Sequence, residues 1–330
     1  MKARNSIVKT YIPIEGLINS AYYSFLPKSL AHSISTINWN LTHSLSRKLL
    51  KTDVLEAGRH TKIKYWHIGK GDRPTLVFLH GFGDSKEGFF HAAWNLKKNY
   101  DLIILDLPGF GESERNISHC HTLSQYSQWL HDFFDHIGIK QFYLAGNSLG
   151  GGISAQFAID FPEMVEKLIL IDAAGVVPFK SKSLYDEFLA GVNLFDMKTP
   201  QDFDYFMSRV FHYRPFIPLP VKQYLCLQFI KNSRWHSKLI IELLTHGQKE
   251  FDHANKNKHD YSTNHLMEKI KVPTLIMWGD QDTFFPVEVA HIMHQLINNS
   301  ALHIFKDVGH SPQLEVPAKF AKTMHDFLSR

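Results

Sequence analysis

The sequence predicts an α/β fold: a mostly parallel, twisted sheet with helices on both faces and an inserted helical cap. The first observation behind this prediction is a recurring unit, in which a short apolar run ends at a polar or glycine corner and a helical stretch follows. The second is one long interval without such a run. The third is that nucleophilic, acidic and basic side chains follow several runs, where open α/β sheets bind their ligands.

Six apolar runs are short, rich in β-branched residues and flanked by turn residues, which is typical of strands buried on both faces of a parallel sheet. These runs occupy residues 75–79, 102–105, 142–144, 168–171, 274–277 and 302–305. Residues 62–68 predict a further edge strand, and the spans 123–137 and 153–159 predict helices. Because parallel strands are joined by crossovers, the alternation places helices on both faces of the sheet.

About a hundred residues separate the run that ends at Ile171 from the run that begins at Thr274. A structureless loop of that length inside one sheet is uncommon. Residues 176–264 show helical patterns, and 15 of these 89 residues are aromatic, about 17% against 13% in the whole chain. We therefore expect a helical cap at 176–264, an α/β core at 61–175 and 265–330, and an N-terminal helical extension at 1–60.

The composition excludes several classes of protein. The net charge of +4 comes from 36 basic and 32 acidic side chains without a long basic block, so we expect no nucleic-acid partner. The 21 histidines are scattered and show no metal-ligand spacing, so we expect neither a metal nor a cofactor. Cys120 and Cys226 are the only cysteines, which fits a reducing compartment such as the cytoplasm, although a single bridge between them stays open.

The N-terminal segment leaves two interpretations open. Its apolar residues fall at helical spacing but are interrupted by Pro13, Glu15, Asn19 and Pro27, so the segment predicts neither a membrane span nor a signal peptide. The first interpretation is a helix packed on the domain. The second is an interfacial helix that rests on a membrane and gives the protein a peripheral membrane contact.

One serine is the candidate nucleophile. Residues 146–150 have the form G-x-S-x-G, directly after a predicted strand and before a helical stretch. In that setting a sharp turn lifts Ser148 above the sheet, and Gly146 and Gly150 let strand and helix approach without a Cβ clash. The serine then heads the next helix, whose backbone amides favour developing negative charge.

A candidate base follows the last predicted strand. His310 comes after a glycine and before Ser311, which suits a histidine in a loop. With an aspartate between them in the chain, Ser148 and His310 have the order serine, acid, histidine that is expected for a nucleophile elbow of this kind. These residue types are the set that acyl transfer requires: a nucleophile, a base and a group that orients the base.

The candidate acid is less tightly specified. Asp280 and Asp282 both follow the strand run 274–277, and we favour Asp282; Asp172, after the preceding strand, is a more distant third candidate. In the resulting hypothesis, Ser148 attacks a carbonyl carbon and His310 accepts its proton. Asp282 fixes the imidazole tautomer and stabilises the imidazolium.

An acyl-transfer site also needs backbone N–H groups that bind the oxyanion. The residue after the nucleophile, Leu149, is expected to supply one of them. Phe82, in the loop His80-Gly81-Phe82-Gly83 that follows the first of the six runs, is expected to supply the other. We expect His80 to have a structural role in that loop.

These motifs resemble the α/β-hydrolase superfamily of serine hydrolases from about Lys62 to Arg330. The resemblance rests on five stretches: H-G-F-G, D-L-P-G-F-G-E-S, G-N-S-L-G-G, W-G-D-Q-D and V-G-H-S-P. The chain is similar to the capped lipase branch that includes monoacylglycerol-lipase-like membrane enzymes and some bacterial lipases. The resemblance implies hydrolysis of carboxylic esters of lipid or acylglycerol type, and an aromatic cap agrees with an apolar acyl chain.

Two other functions remain open at this point. A C–C bond hydrolase of ring-cleavage products suits the G-N-S-L-G-G stretch, but enzymes of that group usually have tryptophan after the catalytic histidine, where this chain has Ser311. A non-catalytic binding protein on the same fold is less favoured, because candidates for all three triad positions are present.

Overall fold

An eight-stranded sheet forms the centre of the structure. The structure is a computed structural model, and it describes residues 28–178, 180–254 and 264–330. Its strands are β1 (Val54–Ala57), β2 (Ile63–Ile68), β3 (Thr75–Leu79), β4 (Asp101–Leu105), β5 (Phe142–Asn147), β6 (Val165–Ile171), β7 (Thr274–Gly279) and β8 (Ser300–Phe305). They lie in the order β1-β2-β4-β3-β5-β6-β7-β8. Strand β2 is antiparallel to both of its neighbours, β1 and β4. All neighbouring pairs from β4 to β8 along the sheet are parallel.

Helices cover both faces of this sheet. The described ones are α1 (Lys28–Leu50), α2 (Phe90–Leu96), α3 (Leu123–His136), α4 (Leu149–Asp160), α5 (Leu184–Leu189), α6 (Pro200–Val210), α7 (Leu219–Ala254), α8 (Asn264–Met267), α9 (Glu288–Leu296), α10 (Pro312–Glu315) and α11 (Pro317–Leu328). Two 3₁₀ helices lie at Lys86–Phe89 and Pro162–Met164. The predicted fold class is therefore confirmed.

The elements differ from the predicted ones where local pattern is a weak guide. Strand β1 was not predicted, because it is only four residues long and exposes Leu55 and Glu56 at the edge of the sheet. The helical pattern predicted only residues 153–159 of helix α4, because the glycines at 150–152 have low helix propensity, whereas the helix begins at Leu149, directly after Ser148 as the G-x-S-x-G motif predicts. These glycines face packed backbone, so tertiary packing compensates for their low helix propensity.

Alternate side chains of the central strands enter two separate cores. Val77 and Leu144 face the layer of α3 and α4, where Phe133 and Phe157 pack with them. Leu76 and Phe78 face the layer of α2 and α11 on the opposite side. Burial on both faces explains why these strands read as continuous apolar runs. It also makes the sheet a rigid support for the loops at its carboxyl edge.

Between β6 and β7 the described chain forms α5, α6, α7 and α8. Helix α6 begins with a capping box, in which the Thr199 hydroxyl accepts from the Asp202 N–H and Asp202 accepts from the Thr199 N–H. Helix α7 is joined to the core by a hydrogen bond of 2.7 Å from Trp235 Nε1 to the Gly109 carbonyl. A second contact of 3.0 Å links His121 Nδ1 to the Glu242 carboxylate.

The chain before the sheet packs on this helical insertion. Trp39 of α1 stacks on Tyr224 of α7 with ring centroids 4.8 Å apart. The apolar N-terminal stretch, for which a helix packed on the domain and an interfacial helix both remain open, lies before Lys28, outside the described residues. In the part of the chain that the structure describes, no helix combines the length and apolar character that crossing a bilayer requires. Cys226 is a free thiol, so no bridge joins it to Cys120.

The buried side chain of Lys86 links the chain segments that follow β3 and β4. Lys86 is fully buried, and its Nζ lies 2.8 Å from Asp106, 2.7 Å from Glu112 and 3.1 Å from Glu87. Although burial opposes its charge, the carboxylates of Asp106 and Glu87 hold the pKa of Lys86 above its usual range. His43 of α1 contacts Glu87 from the other side. The cluster thereby connects α1 to the core.

We predict that Lys86→Met lowers the free energy of unfolding by about 3–5 kcal/mol, because it leaves Asp106 buried without its cation. Urea unfolding followed by circular dichroism measures the loss. Lys322→Met is the matched control, since Lys322 and its partner Asp326 on α11 are 74% and 48% exposed and their pair contributes little. Equal stability of the two variants would contradict the account.

Candidate active site

Ser148 occupies a strained turn between strand and helix. Strand β5 ends at Asn147 and helix α4 begins at Leu149, so Ser148 alone joins them, with φ 54° and ψ −119°. A residue with a Cβ rarely adopts a positive φ. Here hydrogen bonds hold the backbone in this conformation. The Ser148 N–H donates to the Ile171 carbonyl at 2.9 Å, and its carbonyl accepts from Ala174 N–H at 2.9 Å.

The two glycines of the motif are required by space. A Cβ on Gly146 would lie 2.1 Å from the Gly150 carbonyl oxygen, and a Cβ on Gly150 would lie 2.3 Å from the Leu79 carbonyl oxygen. Both obstacles are backbone atoms, which cannot move without shifting β3 or α4. The close approach of strand and helix therefore depends on these positions having no side chain.

His310 and Asp282 are in contact at the carboxyl edge of the sheet. His310 Nδ1 lies 2.8 Å from Asp282 Oδ2, and both side chains are buried. The other carboxylate oxygen, Asp282 Oδ1, accepts from Phe284 N–H at 2.7 Å and from Phe285 N–H at 3.1 Å. A carboxylate with these donors keeps Nδ1–H directed at itself, which leaves the Nε2 lone pair of neutral His310 available as a base.

The other two candidate aspartates have different environments. Asp280 is half-buried, and its Oδ1 accepts a long hydrogen bond of 3.4 Å from Val308 N–H. Asp172 is fully buried, and its Oδ1 accepts from Gly279 N–H at 2.9 Å. Asp172, Asp282 and His310 each have one polar atom within 4.8 Å of the others. Asp282 is the one of the three aspartates with a hydrogen-bond contact to His310.

The loop after β3 lies beside the serine. His80 is fully buried: its Nε2 accepts from Leu107 N–H at 3.0 Å, so Nδ1 carries the proton and donates to the Gly81 carbonyl at 2.7 Å. Burial lowers the pKa of His80 to about 4, which keeps this tautomer neutral. The ring thus fixes the loop that contains Phe82. Phe82 and Leu149, the expected oxyanion donors, line the same cavity as Ser148.

That cavity has a volume of about 270 Å³ and is mostly apolar. Ser148 and His310 line it together, so the candidate nucleophile and base open into one space. Helices α5 to α7 and their connections contribute a large aromatic share of the wall, namely Tyr185, Phe188, Phe195, Phe203, Phe206, Phe211 and Phe229. The chemistry of the wall suits an extended apolar group beside a single polar centre.

Asn147 and Gln313 join the serine turn to the histidine loop, and neither was singled out from the sequence. Asn147 Nδ2 donates to the carbonyls of Ile171 and His310, each at 3.2 Å. Gln313 Nε2 in turn donates to Asn147 Oδ1 at 3.2 Å. No sequence pattern marks either residue: Asn147 fills the variable position before the motif serine, and Gln313 lies three residues after His310. Only their contacts in the folded structure identify them.

Two groups of described side chains have the spacing of metal ligands. The first is His43, Glu87 and Glu112, but the Lys86 ammonium already supplies the positive charge among its carboxylates. The second is the group of Asp172, Asp282 and His310. Its members are committed to hydrogen bonds with one another or with backbone N–H groups. Both groups therefore have a structural explanation that requires no ion.

Comparison with known proteins places this geometry in a family. The chain is 28% identical over 308 residues to Lipase 1 of Psychrobacter immobilis, covering 92% of this chain and 91% of the relative. It is 29% identical over 269 residues to the monoacylglycerol lipase ABHD6 of Mus musculus, covering 78% of this chain and 76% of that one. It is also 28% identical to a 2-hydroxy-6-oxononadienedioate/2-hydroxy-6-oxononatrienedioate hydrolase of Paraburkholderia phymatum, covering 88% of this chain and 99% of the relative.

Solved structures agree with the sequence relatives. A crystal structure of a membrane phospholipase A, described as a bacterial virulence factor, superposes with a TM-score of 0.82 at 29% identity, covering 90% of this chain and 92% of that one. Residues 74–317 match the family described as alpha/beta hydrolase fold. The resemblance predicted from the motifs is thereby confirmed, and the chain belongs to the alpha/beta hydrolase fold family.

Proposed function

We propose that this carboxylic ester hydrolase acts on esters of lipids, acylglycerols in the first place, through an acyl-enzyme on Ser148. The observation that carries the proposal is the His310–Asp282 contact of 2.8 Å, whose histidine lines the same apolar cavity as Ser148. The named lipase relatives, at 28–29% identity, support the same class of substrate. No cofactor or metal is needed for this chemistry.

The proposed reaction has two steps through Ser148. His310 Nε2 accepts the Ser148 proton while the serine oxygen attacks the ester carbonyl carbon. The resulting oxyanion accepts hydrogen bonds from the N–H groups of Phe82 and Leu149. When the tetrahedral intermediate collapses, the bond to the alcohol breaks, and the alcohol leaves with the proton from His310. Water, deprotonated by His310, then attacks the acyl carbon; the bond to the Ser148 oxygen breaks, His310 returns its proton to that oxygen, and the acid leaves. Asp282 stabilises the imidazolium in both steps.

The preference for lipid esters follows from the wall of the cavity. We propose that residues 176–264 form a cap over an α/β core of residues 61–175 and 265–330, because α5 to α7 supply aromatic side chains to that wall. Burying an acyl chain there contributes about 0.8 kcal/mol per methylene. A cytoplasmic location and a peripheral membrane contact through the N-terminal segment stay predictions from the sequence.

The C–C bond hydrolase is the second candidate, and the relative from Paraburkholderia phymatum favours keeping it. The chain nevertheless has Ser311 after His310, where the sequence resemblance leads us to expect tryptophan in that group. The apolar cavity also offers few charged partners for a doubly ionised substrate. We therefore propose ester hydrolysis first.

We predict that Ser148→Ala lowers kcat for p-nitrophenyl butyrate by at least about 10³-fold, because it removes the nucleophile. It should also abolish labelling by a fluorophosphonate probe. Ser311→Ala is the matched control, since Ser311 lines the same cavity without a role in the reaction. If Ser148→Ala keeps its labelling while Ser311→Ala loses it, the assignment of the nucleophile is wrong.

We predict that Gly150→Ala lowers kcat by about 10²-fold, because its Cβ displaces the turn that positions Ser148 and the Leu149 N–H. Steady-state kinetics on the folded variant measures the change. Gly152→Ala, on the same helix, is the milder comparison and should lose clearly less, since its Cβ would lie 3.1 Å from the Ala174 carbonyl oxygen, against 2.3 Å between the Cβ of Gly150→Ala and the Leu79 carbonyl oxygen. Unchanged kcat in Gly150→Ala would show that the close approach of strand and helix is not needed for catalysis.

We predict that kcat/KM rises by up to about fourfold per methylene from p-nitrophenyl acetate towards longer esters, as burial of each methylene predicts. Phe206→Ala should flatten this rise, because Phe206 is buried in the cavity wall. Tyr205→Ala is its control on the same helix, since Tyr205 is 54% exposed. A preference for acetate would contradict the lipid substrate while leaving ester hydrolysis intact.

A further inference from the structure

A second buried carboxyl group, that of Asp172, lies beside the carboxylate of the proposed triad. Asp172 follows β6 directly, has φ 42° and is fully buried. Its backbone N–H donates to the Met277 carbonyl at 3.0 Å, and its Oδ1 accepts from Gly279 N–H at 2.9 Å. These two bonds hold a strained residue between the ends of β6 and β7, so its side chain cannot turn towards solvent.

The second oxygen of this carboxyl group accepts no hydrogen bond from any donor among the described residues. This atom, Asp172 Oδ2, is buried, and the carboxyl group to which it belongs lies within 4.8 Å of Asp282 and His310. A buried oxygen without a donor is costly for an ionised carboxylate, whereas a protonated oxygen becomes a donor itself. The environment therefore favours the neutral acid at Asp172.

The charges around Asp172 lead to the same assignment. The groups that face it are Asp282 from the loop after β7, His310 from the loop after β8 and Glu315 from α10. Burial, followed by the negative charge of Asp282, raises the pKa of Asp172 well above its usual range. Asp282 has two backbone N–H donors and the imidazole, so the single negative charge is best placed there.

We propose that Asp172 is a positioning residue of the active site: it keeps its proton, turns that O–H towards Asp282, and so confines the negative charge to the carboxylate that contacts His310. The two carboxyl groups then share one proton and one charge. Asp172 acts on the reaction through Asp282 and does not touch the substrate. The inference rests on the triad proposed above, whose own test is Ser148→Ala.

The first test compares Asp172→Asn with Asp172→Leu. Asparagine keeps the acceptor for Gly279 N–H and a donor for Asp282 but cannot ionise, whereas leucine has a similar size and neither group. We expect Asp172→Asn to keep kcat within about threefold of the wild type, and Asp172→Leu to lower kcat by about 10–100-fold at unchanged KM. Asp280→Asn and Asp280→Leu are the matched controls, and thermal unfolding monitors folding of all four variants.

Two outcomes of this comparison would overturn the proposal. If Asp172→Asn loses as much activity as Asp172→Leu, the negative charge of Asp172 is required and the residue is not a neutral donor. If Asp172→Leu folds and keeps wild-type kcat, Asp172 has no influence on Asp282. Neither outcome bears on Ser148 as the nucleophile, so failure here is distinct from failure of the triad.

A second test does not depend on the leucine variant folding. In Asp282→Asn the charge that keeps Asp172 neutral is absent, so Asp172 can ionise and support His310 in its place. Loss of a triad acid can lower kcat by about 10⁴-fold. We expect Asp282→Asn to lower kcat by clearly less than this. The double variant Asp172→Asn/Asp282→Asn should fall at least about tenfold further. Equal kcat in the single and double variants would overturn the shared charge.

Discussion

The backbone of Ser148 is the constraint on which the proposed active site depends. A residue with a Cβ is held at φ 54° between β5 and α4, and its peptide groups bond to Ile171 and Ala174 at the end of the next strand. This conformation aims the hydroxyl into the cavity and puts the Leu149 N–H at the start of a helix, where negative charge is stabilised. Gly146 and Gly150 make room for it, and the two packed cores keep β3, β5 and β6 in place around it.

The parallel sheet explains why the remaining groups lie at the same edge as the serine. The strands from β5 to β8 run in one direction, so the loops after them open at one edge although they are distant in the chain. Hydrogen bonds then tie these loops to each other: Asn147 to the His310 carbonyl, Gln313 to Asn147, and Asp172 to Gly279. Because each loop is anchored to its neighbour, the strand spacing of the sheet determines how close Asp282 lies to His310.

Local pattern was sufficient for the fold and for candidate residues, and insufficient for their contacts. The six apolar runs predicted the six strands correctly because burial on both faces leaves continuous apolar sequence. Asp280 and Asp282 could not be separated by pattern with certainty, since both follow β7; only Asp282 reaches His310 in the structure. Asp172 was ranked third as the acid, because nothing local shows that its carboxyl group lies against Asp282. The Lys86 cluster was also unpredicted, since its members come from separate loops.

Rapid-mixing kinetics with a p-nitrophenyl ester test whether catalysis passes through the acyl-enzyme that we propose on Ser148. We expect a burst of one p-nitrophenolate per active site before steady state, and mass spectrometry should locate the trapped acyl group on the peptide that contains Ser148. An acyl group found on another residue, or full activity in Ser148→Ala, would contradict it.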